Sequence, residues 1–133
     1  MNPVDAPKTL IKMDPKYIDV PNICFSLTSI DDDREEVFIQ QRSERGFDDS
    51  ETWSLRDTIA NFILPRIKRF DEIKRGTPIG MTEEEWSVIL NKMILSFELI
   101  ARNNGAMILS DEEMEKMEEG LDLFKEHFLS LWW

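Results

Sequence analysis

The chain has 133 residues and 15.7 kDa, with 27 acidic against 16 basic side chains, a formal net charge of −11 and a pI near 4.5. Hydrophobic residues at 41% and charged residues at 32% supply apolar surface for a single core and exclude a wholly disordered chain. The negative charge opposes direct binding to nucleic-acid backbones, which needs a basic footprint.

The single cysteine, Cys24, forbids an intramolecular disulfide, and no Cys/His cluster offers zinc ligands, so the reducing cytosol is the expected compartment. No basic stretch followed by an apolar segment opens the chain, and no apolar run approaches the roughly 20 residues of a bilayer span. Neither export nor membrane insertion is expected.

Residues 1–22 hold Pro3, Pro7, Pro15 and Pro21 among Asp and Lys, a composition that resists helix and central strand and predicts an extended arm. Residues 23–133 are then expected as a single domain. Ile23, Phe25, Leu27 and Ile30 are followed by the polar run Asp31–Glu35 and then by Val37-Phe38-Ile39, which predicts a β-hairpin over 23–41. Arg42 to Thr52 read as a charged connection.

Three helix starts follow. Ser54 with Asp57 approximates a capping box, while Thr82 with Glu85 and Ser110 with Glu113 spell proper ones. Lys74-Arg75-Gly76 and Arg102-Asn103-Asn104-Gly105 supply basic last turns and left-handed stops. The expected helices are 54–75, 82–103 and 110–131.

In the first, Pro65 predicts a kink, and Arg66 falls within the stripe of Leu55, Ile59, Phe62, Phe70 and Ile73. The middle helix shows a broad stripe (Trp86, Ile89, Leu90, Met93, Ile94, Phe97, Ile100) and a second one (Val88, Leu95, Leu99), so it is central or covered by a partner, a second copy included. The last helix sets Met114, Met117, Leu121, Phe124, Phe128 and Leu131 against Glu115, Glu118, Glu119, Asp122 and Glu126. The expected fold is α+β and mostly helical, a β-hairpin packed on three antiparallel helices.

Two candidate sites emerge. Arg42, Arg45, Arg56, Arg66 and Arg69, with Trp53 among them, could grip a phosphate or carboxylate, as in an anionic nucleotide, bound or hydrolysed. The interleaved Glu44, Asp48, Asp49, Glu51, Asp57 and Asp71 offer mutual salt bridges as the competing use. The acidic face of the last helix, with Trp132 and Trp133 as apolar anchors, could engage a basic protein groove. A solvated helix face and indoles tucked onto the core are the alternatives.

His127 has no nucleophile at motif spacing, Cys24 has no activating neighbour, and the five glycines show neither dinucleotide nor P-loop spacing. Neither a catalytic residue, a metal nor a cofactor is therefore assigned.

Arg45-Gly46-Phe47-Asp48-Asp49-Ser50-Glu51-Thr52-Trp53-Ser54-Leu55, Ile63-Leu64-Pro65-Arg66-Ile67-Lys68-Arg69-Phe70 and Thr82-Glu83-Glu84-Glu85-Trp86 with Ile89-Leu90-Asn91-Lys92-Met93-Ile94 together resemble a pattern recurring in small hypothetical proteins of bacteriophages and prophages, over residues 42–100. Arg56-Asp57-Thr58 stands where that family has an acidic-aromatic stretch. The resemblance implies a phage gene product in the cytoplasm of a bacterial host. It implies a protein that binds or inhibits a host component, defence systems among them, or one that serves phage assembly.

Overall fold

The computed structural model describes residues 22–29, 31–102 and 107–132. The Pro-rich arm, the Asn103-Asn104-Gly105 stop and Trp133 therefore lie outside the described residues, apart from Asn22. Four α-helices are present among the described residues: α1 (Glu35–Arg45), α2 (Leu55–Ile73), α3 (Glu83–Arg102) and α4 (Asp111–His127). Short 3-10 turns stand at Asp49–Thr52 and Phe128–Ser130. The chain divides into two compact units, Met1–Thr58 and Ile59–Trp133.

The expected hairpin is not there: no residue described is in a β-strand, and the fold class is helical rather than α+β. The polar run that resembled a hairpin turn is instead a helix start. The Asp32 carboxylate accepts the Arg34 N–H at 2.8 Å, and its carbonyl accepts the Glu35 N–H. Glu35 and Glu36 then meet the positive end of α1, with Arg42 and Arg45 at its negative end. Of Val37-Phe38-Ile39, the supposed second strand, only Phe38 is buried, and its inward neighbour one turn on is Arg42. An arginine at the i+4 position hides the helical period from any count of apolar residues. The supposed first strand, residues 23–29, is extended chain whose backbone donors go to side chains rather than to a strand. Gly46 closes α1 at φ +87°, donating to the Arg42 carbonyl.

The other three helices start where the caps predict them, while the last α-helix ends at His127 and not at 131, its chain passing into the 3-10 turn Phe128–Ser130. Thr82 and Glu85 exchange backbone–side-chain bonds at 2.8 and 3.1 Å, and Ser110 and Glu113 do so at 3.1 Å each. Ser54 donates its hydroxyl to Asp57 at 2.7 Å. Gly76 has no positive φ; α2 stops at Ile73, and Lys74 folds its ammonium back onto the Asp71 carbonyl and carboxylate at 2.8 Å each. The helix runs on through Pro65.

The second unit is held by apolar packing. Ala60, Phe97, Leu99, Ile100 and Met117 form one cluster, and Ile67, Trp86, Leu90, Met93 and Ile94 another. Ile63 and Leu64 of α2 and Phe124 of α4 touch both. The buried side of α2 is thus Ala60, Ile63, Leu64 and Ile67, while Leu55, Ile59, Phe62 and Ile73 of the predicted stripe are exposed. Of the predicted α4 stripe, Met114, Met117, Leu121, Phe124 and Leu131 pack on the core, with Phe124 edge-on to Phe97 at 5.1 Å, whereas Phe128 is exposed. The second stripe of α3 divides: Leu99 is buried, Leu95 is half-buried and Val88 is exposed. Gly120 and Ser96 mark where α4 lies closest to α3, for the Ser96 hydroxyl donates to the Met117 carbonyl at 2.7 Å.

Candidate functional site

The densest polar assembly is inside the first unit. Arg42 and Asp48 are wholly buried and paired, with the guanidinium Nη1 on Asp48 Oδ2. The Nη2 of Arg42 reaches Glu35 at 2.9 Å, and Nη1 also reaches the Ser26 hydroxyl at 3.3 Å. Asp48 opens the 3-10 turn by accepting the Ser50 N–H at 2.8 Å, and Glu51 returns the cap by accepting the Asp48 N–H at 2.9 Å. Residues of the extended segment complete the assembly: Phe25 N–H donates to Glu51 at 3.2 Å, Ser26 Oγ to Asp48 at 2.6 Å and Leu27 N–H to Ser50 Oγ at 2.8 Å.

Burial alone would raise the Asp48 pKa, but bonds from Ser26, Ser50 and Arg42 outweigh it and hold the carboxyl below its ordinary value. Glu51 goes the other way, since burial raises it more than its two backbone donors lower it. Burial likewise pushes the Cys24 thiol up, which suits a packed side chain rather than a nucleophile. Arg42 sits between two carboxylates and stays charged, so its positive charge is neutralised within the protein.

The remaining predicted arginines have other contacts. Arg45 pairs with Asp49 at 2.7 Å and stacks on Phe47, and Arg56 lies 3.6 Å from Asp57. Trp53 faces Phe38 at 6.0 Å with the Arg34 guanidinium 4.9 Å over its ring. Arg66 and Arg69 belong to the second unit. There Arg66 is exposed, donates to the Phe62 carbonyl at 2.7 Å and lies over that ring, while Arg69 pairs with Glu72 at 2.9 Å. Arg66 is therefore not aimed at the core.

The acidic residues stand where the wheel puts them. Glu115, Glu118, Glu119, Asp122 and Glu126 are all exposed on α4. Glu119 meets Lys92 at 2.9 Å, and Glu126 lies 3.6 Å from His127, whose ring stacks edge-on to Trp86. Beyond Glu126 the terminal 3-10 turn exposes Phe128 and Leu129, and Trp132 follows at 76% exposure. No group of His, Cys, Asp and Glu arranged to hold a metal occurs among the described residues. Nor is any helix among them long and apolar enough to cross a membrane.

Sequence reasoning did not find the Asp48–Glu51 cap or the burial of Ser50 and Ser26's bonds to the node. The signal was present, since Asp48 and Glu51 have the spacing of a capping box, but interleaved charges made the stretch read as a connection.

Scans of the chain against family models, curated proteins and solved structures find no match. The class that fold and site define is a helical protein with a self-neutralised ionic node in one unit and an acidic outer helix with an apolar end in the other.

Proposed function

We propose that this chain is a small acidic binding protein, phage-encoded and acting in the bacterial cytoplasm, that engages or inhibits a basic host protein. The observation that carries the reading is the outer face of α4, where exposed carboxylates run directly into exposed Phe128, Leu129 and Trp132. Complementary charge speeds encounter and selects the partner, and an aromatic anchor supplies the contact that holds it. The resemblance of residues 42–100 to phage proteins supports the setting. A nucleotide held by the arginines draws less support, because Arg42 is committed to Asp48 and Glu35.

The test replaces Glu118 and Asp122 by Lys in the full chain and compares capture of host proteins with that of the unaltered protein across a salt series. Basic proteins should be retained by the unaltered chain at low salt and lost from the double variant by about tenfold or more, with an unchanged unfolding midpoint. Trp132→Ala should slow nothing in encounter but hasten release. Identical retention by all three chains would remove the α4 face from the function.

A further inference from the structure

Where the α2–α3 connection turns into α3, a groove of about 560 Å³ is lined by Gly80, Met81, Glu84, Glu85, Val88 and Ile89. A concavity of this size suits a small molecule. Gly80 stands at φ +84°, and nothing lies within 4 Å of where its Cβ would be, so the turn leaves that end of the groove open. Along α3 the lining changes in kind over one helical turn. Val88 follows Glu84 and Ile89 follows Glu85 at the i+4 position, where side chains are neighbours. Val88 is 54% exposed, and Met81 and Ile89 are half-buried. The groove therefore offers carboxylates at one end and aliphatic surface, still partly in water, at the other.

Among the described residues lining the groove there are two carboxylates and no cation. Glu85 Oε1 is committed to the start of α3, where it accepts the Thr82 N–H at 2.8 Å. Glu84 is exposed and enters no hydrogen bond or ion pair among the described residues. By contrast, Asp71, Glu98, Glu113 and Glu119 of the same unit each meet a cation at 2.8–3.1 Å. The start of a helix carries about half a positive charge, which Glu83, Glu84 and Glu85 together exceed. Residues 81–133, with 12 acidic and 4 basic side chains, add a wider field that draws cations in.

We infer that this groove binds a small primary amine with an apolar tail, its ammonium on the Glu84 carboxylate and its tail along Met81, Val88 and Ile89. An ammonium brings N–H donors to a carboxylate in charge-assisted hydrogen bonds, and the tail takes the aliphatic surface out of water. The site draws on none of the α4 carboxylates and on neither Phe128, Leu129 nor Trp132, so it is independent of the partner surface proposed above.

The experiment titrates the full-length protein at neutral pH with hexylamine, 1-hexanol and hexanoate, three probes alike in chain that differ in charge, and with hexyltrimethylammonium, which keeps the charge and lacks the N–H donors. The readout is the methyl resonances of Val88 and Ile89, with Val37 of the other unit as internal reference. The amine should move the Val88 and Ile89 signals saturably and leave Val37 in place. The alcohol should bind at least about tenfold more weakly, hexanoate weaker still, and the trimethylated amine more weakly than the primary one. Glu84→Gln should erase the preference for amine over alcohol, and Val88→Ser should weaken both. Should either variant fail to fold, the four probes on the unaltered protein decide the matter alone. Equal binding of amine and alcohol, a preference for hexanoate, trimethylammonium binding as tightly as the amine, absence of saturation, or equal movement of Val37 would each overturn the assignment.

Discussion

Arg42 illustrates how one side chain can organise a unit whose described residues bury little apolar surface. Among the described residues, two of the twelve buried hydrophobic ones (Cys24 and Phe38) lie in the first unit, whereas four of the five buried polar ones (Arg42, Asp48, Ser50, Glu51) do. At about 1.5–3 kcal/mol per buried apolar side chain, hydrophobic burial supplies only a few kcal/mol there. Removing one member of the buried pair leaves the other charge unmet. Arg42→Met should therefore cost about 3–5 kcal/mol, read from denaturant unfolding followed by the Trp53 signal. Glu51 makes a second, opposite statement. Its raised pKa means that burial of its charge opposes folding at neutral pH, and the opposition is relieved as pH falls toward the ordinary value of 4.5. Asp48 has a lowered pKa, so its contribution is present above the usual aspartate range near 3.8 and is lost as pH drops below it. The first unit should thus gain stability on mild acidification and lose it on stronger acidification. Glu51→Gln should abolish the gain and keep the loss, measured as denaturation midpoints across pH 3–7, a range that brackets both ordinary carboxyl values.

At the scale of elements, the decisive junction is α3 against α4. Gly120 sits inside a helix, where local propensity alone would favour alanine by about 1 kcal/mol. A Cβ at that position, however, would overlap the Lys92 carbonyl oxygen and the Ser96 Cβ. One of those atoms is helix backbone, so the helices must part, and overpacking of this kind costs about 1–3 kcal/mol. Gly120→Ala should therefore lower the thermal midpoint despite its better helix propensity, and a rise would show that α4 can shift at no cost. The Ser96–Met117 hydrogen bond would lengthen with the same displacement. Helix α1 teaches the complementary lesson. Its inward pair is Phe38 and Arg42, so its helical repeat is written half in apolar and half in ionic residues, and a reading based on hydrophobic spacing sees a strand.

Over the whole molecule, the net charge of −11 is not spread evenly, and eight of the acidic side chains lie on α4. Surface bridges such as Lys92–Glu119 and Arg102–Glu113 have both partners substantially exposed and contribute little to stability. Reversing nearby carboxylates should consequently change association and not folding, which is why the α4 double variant separates the two. With a screening length of about 8 Å at physiological salt, the steering part of binding should fade as salt rises while the Trp132 contact persists.

The amino-acid sequence by itself determined the three later helices, because capping boxes and 3.6-residue periodicity are interactions between residues a turn apart. It also determined the acidic outer face of α4, which needs only that periodicity. Tertiary structure decided what depends on distant partners. It buried Arg42 against Asp48 and Glu35 instead of presenting it to a ligand, and it turned the other side of α2 inward, leaving Arg66 exposed. It also required a glycine at 120 where two helices meet. Those outcomes turn on the competition between desolvating a group and finding it a partner, and the partner's position is set by packing rather than by spacing along the chain.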